Sequence, residues 1–183
     1  MRELLQSTLM YLLLPLWVLA GFGDWLSHRV QRIELTAGLK ESLLHLLMLA
    51  ELGPAFLAVL LCEVDSLVIV LLAVACVAHE LTVWWDLRYA VTRREIPVVE
   101  QWMHSLQIVL PWAALVGLSL LHWPQAVAAV GLGSQSASWQ LEWKRQPLPP
   151  AYVAAAIAAG VLLIVLPYLQ ECLLSWRVRR SSR

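Results

Sequence analysis

Residues 65–90, DSLVIVLLAVACVAHELTVWWDLRYA, decide the fold of this chain. The first part of the stretch is apolar, and its whole length suits a helix of about 20 or more residues that crosses a lipid bilayer. Its second half nevertheless carries His79, Glu80 and Asp86. Ionisable side chains at membrane depth are costly, and by default they indicate a functional site. The stretch therefore predicts a membrane helix with a polar site toward one end.

The composition extends this interpretation to the whole chain. The 183 residues are 60% hydrophobic and 14% charged, with a mean hydropathy of +0.69, which excludes an ordinary soluble domain. Five apolar stretches of spanning length cover about residues 4–28, 40–62, 65–90, 98–123 and 150–174. We therefore expect an all-α, polytopic membrane protein that forms a single integral membrane domain over residues 1–183. The one long connection, residues 124–149, is expected to form an outer loop.

The basic residues are unevenly divided between the two ends of the predicted spans. Ten of them lie around the connection between spans one and two, around the connection between spans three and four, or after span five. The remaining three are Arg2, Lys144 and Arg145. Because positively charged loops stay on the cytoplasmic side, we expect the N-terminus outside and the C-terminus in the cytoplasm. The odd number of spans agrees with this topology.

Four of the spans carry a carboxylate and an imidazole on one helical face. Residues four or seven apart lie about 40° or 20° from each other around a helix axis. Three pairs are four apart and one is seven apart: Asp24 with His28, Glu41 with His45, Glu100 with His104, and His79 with Asp86. Antiparallel neighbours bring all four pairs to the cytoplasmic end. We therefore predict that spans one to four form an antiparallel bundle around a metal site with these eight ligands, and that span five packs outside.

Each pair taken alone has an ordinary structural explanation. A single histidine in an apolar helix is usually a hydrogen-bonded core residue, and Glu41 is placed to contact the N-terminal dipole of its helix. For the whole cluster, the main alternative is a network of salt bridges in which nearby arginines neutralise the acids. Those arginines are Arg29, Arg88, Arg93 and Arg94. The metal interpretation is preferred because this network does not explain why four imidazoles lie on neighbouring helices.

The predicted ligands resemble those of the ferritin-like di-iron and di-manganese bundles, in which acids and histidines project inward from four helices. This resemblance covers residues 24–104 and is one of chemistry. It departs from those bundles in spacing, because they place Glu and His three residues apart and this chain places them four apart. Residues 40–45, KESLLH, and His79–Glu80 with Asp86 also resemble uncharacterised bacterial inner-membrane proteins. The expected location is therefore the bacterial inner (plasma) membrane.

The ligand types indicate the metal and the chemistry. Carboxylates and imidazoles without a nearby thiolate favour Fe, with Mn and Zn as alternatives, and the four-residue spacing leaves open whether one ion or two are held. We expect a dimetal oxidoreductase that acts on a membrane lipid or a quinone. Glu80 is the predicted catalytic group, and Glu51 is a second residue for proton delivery.

Two other functions stay open at this point. One is a zinc-dependent membrane hydrolase, in which the ion lowers the pKa of a bound water and Glu80 acts as general base. The other is a non-enzymatic protein that handles metal or belongs to a membrane complex with a partner subunit. No nucleic-acid partner is expected.

Overall fold

A computed structural model describes residues 1–181 of the chain. This part contains six α-helices, which we number in chain order: α1 Arg2–Gln31, α2 Leu39–Leu61, α3 Ser66–Ala90, α4 Val98–Leu121, α5 Trp123–Ala129 and α6 Pro150–Ser181. Short π-helical segments lie within α1 at Leu9–Leu13 and within α6 at Val161–Val165. All of these helices except α5 are long and apolar enough to cross a membrane. The predicted all-α fold with five spans is confirmed.

Short connections make consecutive spans antiparallel. Before α2, the backbone turns at Gly38, whose φ of 70° is readily adopted by glycine. The helix α3 begins after Asp65, whose Oδ1 accepts a hydrogen bond from the Val68 backbone N–H at 3.1 Å. Pro97 has an extended backbone and directly precedes α4. These local signals begin the second, third and fourth spans after short turns.

Spans one to four form the predicted antiparallel bundle, in which α1 packs on α4, α4 on α3 and α3 on α2. The fifth span, α6, packs against both α1 and α2. Gly21 permits this close approach, because a Cβ atom there would lie only 2.8 Å from Ile164 Cδ1. The expectation that span five packs outside the polar cluster is therefore wrong, since α6 completes the wall around it and buries Glu171 and Ser175 inside.

The two ends of the bundle differ in structure. At the site end lie the connections after α1 and α3 and the end of α6. At the far end, the long connection after α5 is fixed to the turn between α2 and α3 by a β-bridge between Cys62 and Trp143. The Lys144 backbone N–H also donates to Leu61 O at 3.0 Å. The far end is thus covered by an ordered segment.

Candidate metal centre

Nine acidic and histidine side chains of the described residues are buried within the bundle, each 6% exposed or less: Asp24, His28, Glu41, His45, His79, Asp86, Glu100, His104 and Glu171. The first eight are the residues that the sequence singles out, and Glu171 joins them from α6. Burial of so many charges and imidazoles is unfavourable unless each has a compensating partner. The partners therefore decide what the cluster can do.

Glu171 holds two histidines at once. Its Oε2 lies 3.0 Å from His28 Nδ1, and its Oε1 lies 2.8 Å from His45 Nδ1. The two imidazole rings are stacked, with centroids 4.5 Å apart and an angle of 7° between their planes. An ionised carboxylate only accepts hydrogen bonds, so each Nδ1 carries a proton and neutral rings keep a lone pair on Nε2. Metal-binding histidines typically have such a carboxylate on the nitrogen that does not bind the ion.

The two Nε2 atoms face carboxylates at distances longer than a hydrogen bond. His28 Nε2 lies 3.4 Å from Glu100 Oε1 and 3.6 Å from Asp24 Oδ2, and His45 Nε2 lies 3.5 Å from Asp86 Oδ2. Among residues 1–181, neither Nε2 atom has a hydrogen-bond partner. Two donors that share a tetrahedral ion with bonds of about 2.1 Å are roughly 3.4 Å apart. The separations therefore fit a shared cation.

Two groups of three buried residues have the close donor spacing that a metal ion requires. In each group, one ligand atom from every residue lies within 4.8 Å of the others. The first group is His28, Glu41 and His45, and the second is Asp24, Glu100 and His104. The described part of the chain thus offers two adjacent groups that could each hold an ion.

Asp24 and Asp86 lie between the histidines of the two groups. Asp24 Oδ2 is 3.6 Å from His28 Nε2, and Asp24 Oδ1 is 3.2 Å from His104 Nδ1. Asp86 Oδ2 is 3.5 Å from His45 Nε2 and 3.9 Å from His104 Nε2. Each of these two carboxylates therefore lies near histidines of both groups.

Arg94 compensates two of the acids at the site end. Its Nε donates to Glu41 Oε1 at 3.1 Å, and one terminal nitrogen donates to Glu100 Oε2 at 2.9 Å. Gln31 also donates to Glu100. Burial opposes the charge of Arg94, but the hydrogen bonds to Glu100 and Glu41 outweigh it and raise the pKa of the guanidinium. The salt-bridge alternative is therefore correct for Glu41 and Glu100.

The neighbouring arginines are engaged elsewhere. The Arg88 guanidinium lies 4.7 Å from the centre of the Trp84 ring, and that of Arg93 lies 5.4 Å from the Tyr89 ring. These contacts keep both charges at the surface of the molecule. Of Arg88, Arg93 and Arg94, Arg94 is thus the one that enters the cluster.

Three of the residues considered from the sequence lie away from the centre of the cluster. His79 is buried about two helical turns from Asp86, and neither of its ring nitrogens has a hydrogen-bond partner within residues 1–181. Glu80 is exposed and accepts a hydrogen bond from Trp112 Nε1 at 3.1 Å. Glu51 accepts from Thr82 Oγ1 at 2.7 Å. Glu80 therefore does not face the groups that could hold metal.

Tyr168 and Glu171 of α6 belong to the cluster, although neither is among the predicted site residues. The Tyr168 hydroxyl donates to Asp24 Oδ2 at 2.8 Å and also lies 3.1 Å from the Gly21 carbonyl oxygen. A signal was present in the chain, because Tyr168, Glu171 and Ser175 follow the helical repeat on one face of an otherwise apolar span. What the sequence does not state is which helices that face meets.

A cavity of about 420 Å³ lies beside the cluster, toward the middle of the bundle. Asp24, His45 and His104 line it at one end, and the rest of its wall is mainly apolar. Leu57 of α2 and Val161 of α6 line it on the outside of the molecule, where they are 43% and 40% exposed. The cavity therefore links the lipid-facing surface between α2 and α6 with the buried donors.

Fold and site together define a class, namely an all-α protein with the five apolar helices of a multi-pass membrane protein and two buried histidine–carboxylate groups that could hold metal ions. Comparison with known protein families, with curated proteins and with solved structures finds no match to this chain. The resemblance to di-iron bundles therefore extends only to the types of ligand and their burial among helices.

Proposed function

We propose that the cluster binds two divalent ions, Fe or Mn, and that the protein is a membrane-embedded oxidoreductase acting on a lipid or a quinone. The observation that carries this proposal is the contact of Glu171 with both His28 and His45. It fixes the tautomer of both rings and turns both Nε2 atoms toward carboxylates. Neutral rings then direct two lone pairs at acids, an arrangement that a cation between them would stabilise.

The charge balance supports two ions. Five carboxylates meet one guanidinium, so the cluster carries a net charge of −4 when the imidazoles are neutral. Two divalent ions neutralise this charge, and uncompensated charge in a low-dielectric interior is strongly unfavourable. Protonation of His28, His45 and His104 would leave −1 and would place two stacked cations 4.5 Å apart. Metal binding is therefore the better compensation.

The residues of the chain would divide the work at such a centre. Fe or Mn, when bound, would supply one-electron redox chemistry. Asp24 and Asp86 would help to hold the ions, and Glu171 would orient two of the imidazole ligands. Tyr168 holds a proton at its hydroxyl, in a hydrogen bond to Asp24, on the wall of the cavity. That position suits proton exchange between the cluster and a bound substrate.

The cavity supports an apolar substrate. Its volume of about 420 Å³ falls within the range of about 300–1,000 Å³ that is usual for small-molecule sites. Its apolar wall and its position between α2 and α6 give access from the bilayer rather than from water. A lipid chain or a quinone ring fits this chemistry, whereas a charged metabolite does not.

The zinc hydrolase receives less support. The general base that it requires, Glu80, is exposed and is bonded to Trp112 outside the cluster. A metal-handling protein without turnover uses the same ligands, and activity measurements separate it from an oxidoreductase.

The proposal is tested with protein purified anaerobically in detergent, loaded with Fe(II), and then mixed with air and a quinol as reductant. We expect metal-dependent oxygen consumption that falls at least about tenfold in the double variant His45→Ala/His104→Ala. The matched control is Glu142→Ala/Arg145→Ala, which removes an exposed ion pair at the far end. Bound metal without oxygen consumption with quinols or other reductants would contradict the oxidoreductase and favour metal handling.

A further inference from the structure

A second cavity of about 400 Å³ lies at the far end of the bundle, on the other side from the metal cluster. Its deep wall is apolar, and its polar lining is Arg2, Gln6, Glu63, His122, Lys144 and Gln146. These residues come from the start of α1, the turn after α2, the end of α4 and the connection before α6. The far-end connection thus forms one wall of a pocket that is apolar inside and polar at its edge.

The polar edge has an excess of positive charge. Arg2 has no ion-pair partner in the described chain, and Glu63 Oε1 already accepts a hydrogen bond from the Arg145 backbone N–H at 2.7 Å. Burial, followed by the nearby charges of Arg2 and Lys144, lowers the pKa of His122. With His122 neutral, the positive charges of Arg2 and Lys144 and the negative charge of Glu63 give the edge a net charge of +1. This charge favours an anionic ligand group.

Lys144 is held in place before any ligand arrives. Its Nζ donates to the Cys62 carbonyl oxygen at 2.6 Å, and its backbone N–H donates to Leu61 O at 3.0 Å. Burial lowers the pKa of this ammonium group. Because the charge is partly removed from water, its attraction to an approaching anion is screened less than that of a fully hydrated cation. A preorganised cation of this kind binds an anion without a further ordering cost.

The inner part of the cavity is suited to a hydrocarbon chain. Leu14, Trp17, Leu52 and Phe56 line both this cavity and the one beside the metal cluster. The Trp17 and Phe56 rings are in contact, with centroids 6.3 Å apart. The two rings therefore stand where the two cavities meet, and a chain that enters from the far end would extend as far as them.

We propose that the far-end cavity binds one anionic phospholipid, with its phosphate at Arg2, Lys144 and His122 and an acyl chain directed toward Trp17 and Phe56. The cations at the edge select the phosphate, and the apolar wall selects the chain. The site is separate from the metal ligands, so it does not depend on the proposed oxidoreductase. Loss of metal in the histidine double variant would leave it intact.

The test is native mass spectrometry of the full-length protein in detergent, titrated with phosphatidylglycerol or with phosphatidylcholine of the same chain length. We expect one saturable phosphatidylglycerol per chain and weaker binding of phosphatidylcholine. Each cation near an anionic headgroup contributes about 1 kcal/mol to the binding free energy. Removal of two cations in Arg2→Gln/Lys144→Gln therefore predicts roughly 30-fold weaker binding. The control Arg145→Gln should bind normally, because that side chain is 80% exposed and pairs with Glu142.

Two further arms keep the test decisive. Arg2 is exposed, so Arg2→Gln alone should fold and still weaken binding if the double variant does not fold. Ala114→Phe fills the apolar wall and should reduce lipid binding without changing the edge charges. Equal binding of both lipids, unsaturable binding, or full competition by millimolar inorganic phosphate with no effect of Ala114→Phe would overturn the proposal.

Discussion

Glu171 is the residue on which the metal proposal depends most. Replacing it with Gln keeps its size, but His28 Nδ1 and His45 Nδ1 face different oxygens of Glu171, so the NH2 donor of an amide would face one of the two Nδ1–H groups. We expect metal affinity to fall about 10- to 100-fold, the usual cost of losing such a partner. Competition with a chelator of known affinity measures this change. The control Glu142→Gln alters an exposed acid at the far end, and an equal loss there would contradict the assigned role.

Arg94 contributes to the stability of the fold, because it neutralises two buried acids whether or not an ion is bound. Arg94→Gln leaves Glu41 and Glu100, both 0% exposed, without their cation. We expect the free energy of unfolding to fall by about 3–5 kcal/mol, as for other broken buried ion pairs. Denaturant unfolding in detergent, followed by circular dichroism, gives the value.

Arg93→Gln is the matched comparison for this prediction. The Arg93 side chain lies over the Tyr89 ring at the surface, and its loss should cost less than about 1 kcal/mol. If the two variants unfold alike, the ion pairs of Arg94 contribute no special stability.

At the scale of the helices, the contact between α1 and α6 positions the cluster. Gly21→Val places a branched side chain against Ile164, whose Cδ1 would lie 2.8 Å from the new Cβ, and it disturbs the Tyr168 hydroxyl beside the Gly21 carbonyl. We expect a loss of about 1–3 kcal/mol, typical of overpacking, and weaker metal binding. Gly53→Val is the control, because a Cβ there meets no atom within 4 Å. A milder effect at Gly21 than at Gly53 would show that this contact is not tight.

The positions of the spans along the chain could be predicted from the sequence, but which helices pack against each other could not. Apolar runs of membrane length gave the five spans, and the acid-to-histidine spacing placed Asp24, His28 and their counterparts on inward faces. Nothing in a hydropathy pattern determines whether α6 lies beside α1 and α2 or outside the bundle. Glu171 was therefore assigned to an outer helix, although its helical face with Tyr168 pointed to a buried role.

Glu80 illustrates the same limit at a single position. An adjacent residue on a helix points about 100° away, so Glu80 and His79 share neither a face nor an environment. Sequence proximity to a buried histidine thus carried no information about the site, and the exposed fraction of each side chain depends on the neighbouring helices.

For the whole molecule, the distribution of basic residues predicts the orientation in the membrane. Among the described residues, nine cations belong to the site end and three to the far end, and this asymmetry predicts that the buried cluster lies near the cytoplasmic side. A C-terminal green fluorescent protein fusion should fluoresce, and a C-terminal alkaline phosphatase fusion should be inactive. Active phosphatase with a dark fluorescent fusion would reverse the orientation, and the cavity beside the cluster would then open from the opposite half of the bilayer.

The most direct test of the central claim is elemental analysis of the detergent-purified protein, after exposure to Fe(II) or Mn(II) and removal of free metal. The two buried groups predict about two equivalents of Fe or Mn per chain, most of it lost in His45→Ala/His104→Ala and retained in Glu142→Ala/Arg145→Ala. A folded parent protein without bound metal under these conditions would contradict the claim, and the cluster would then be a buried network of ion pairs.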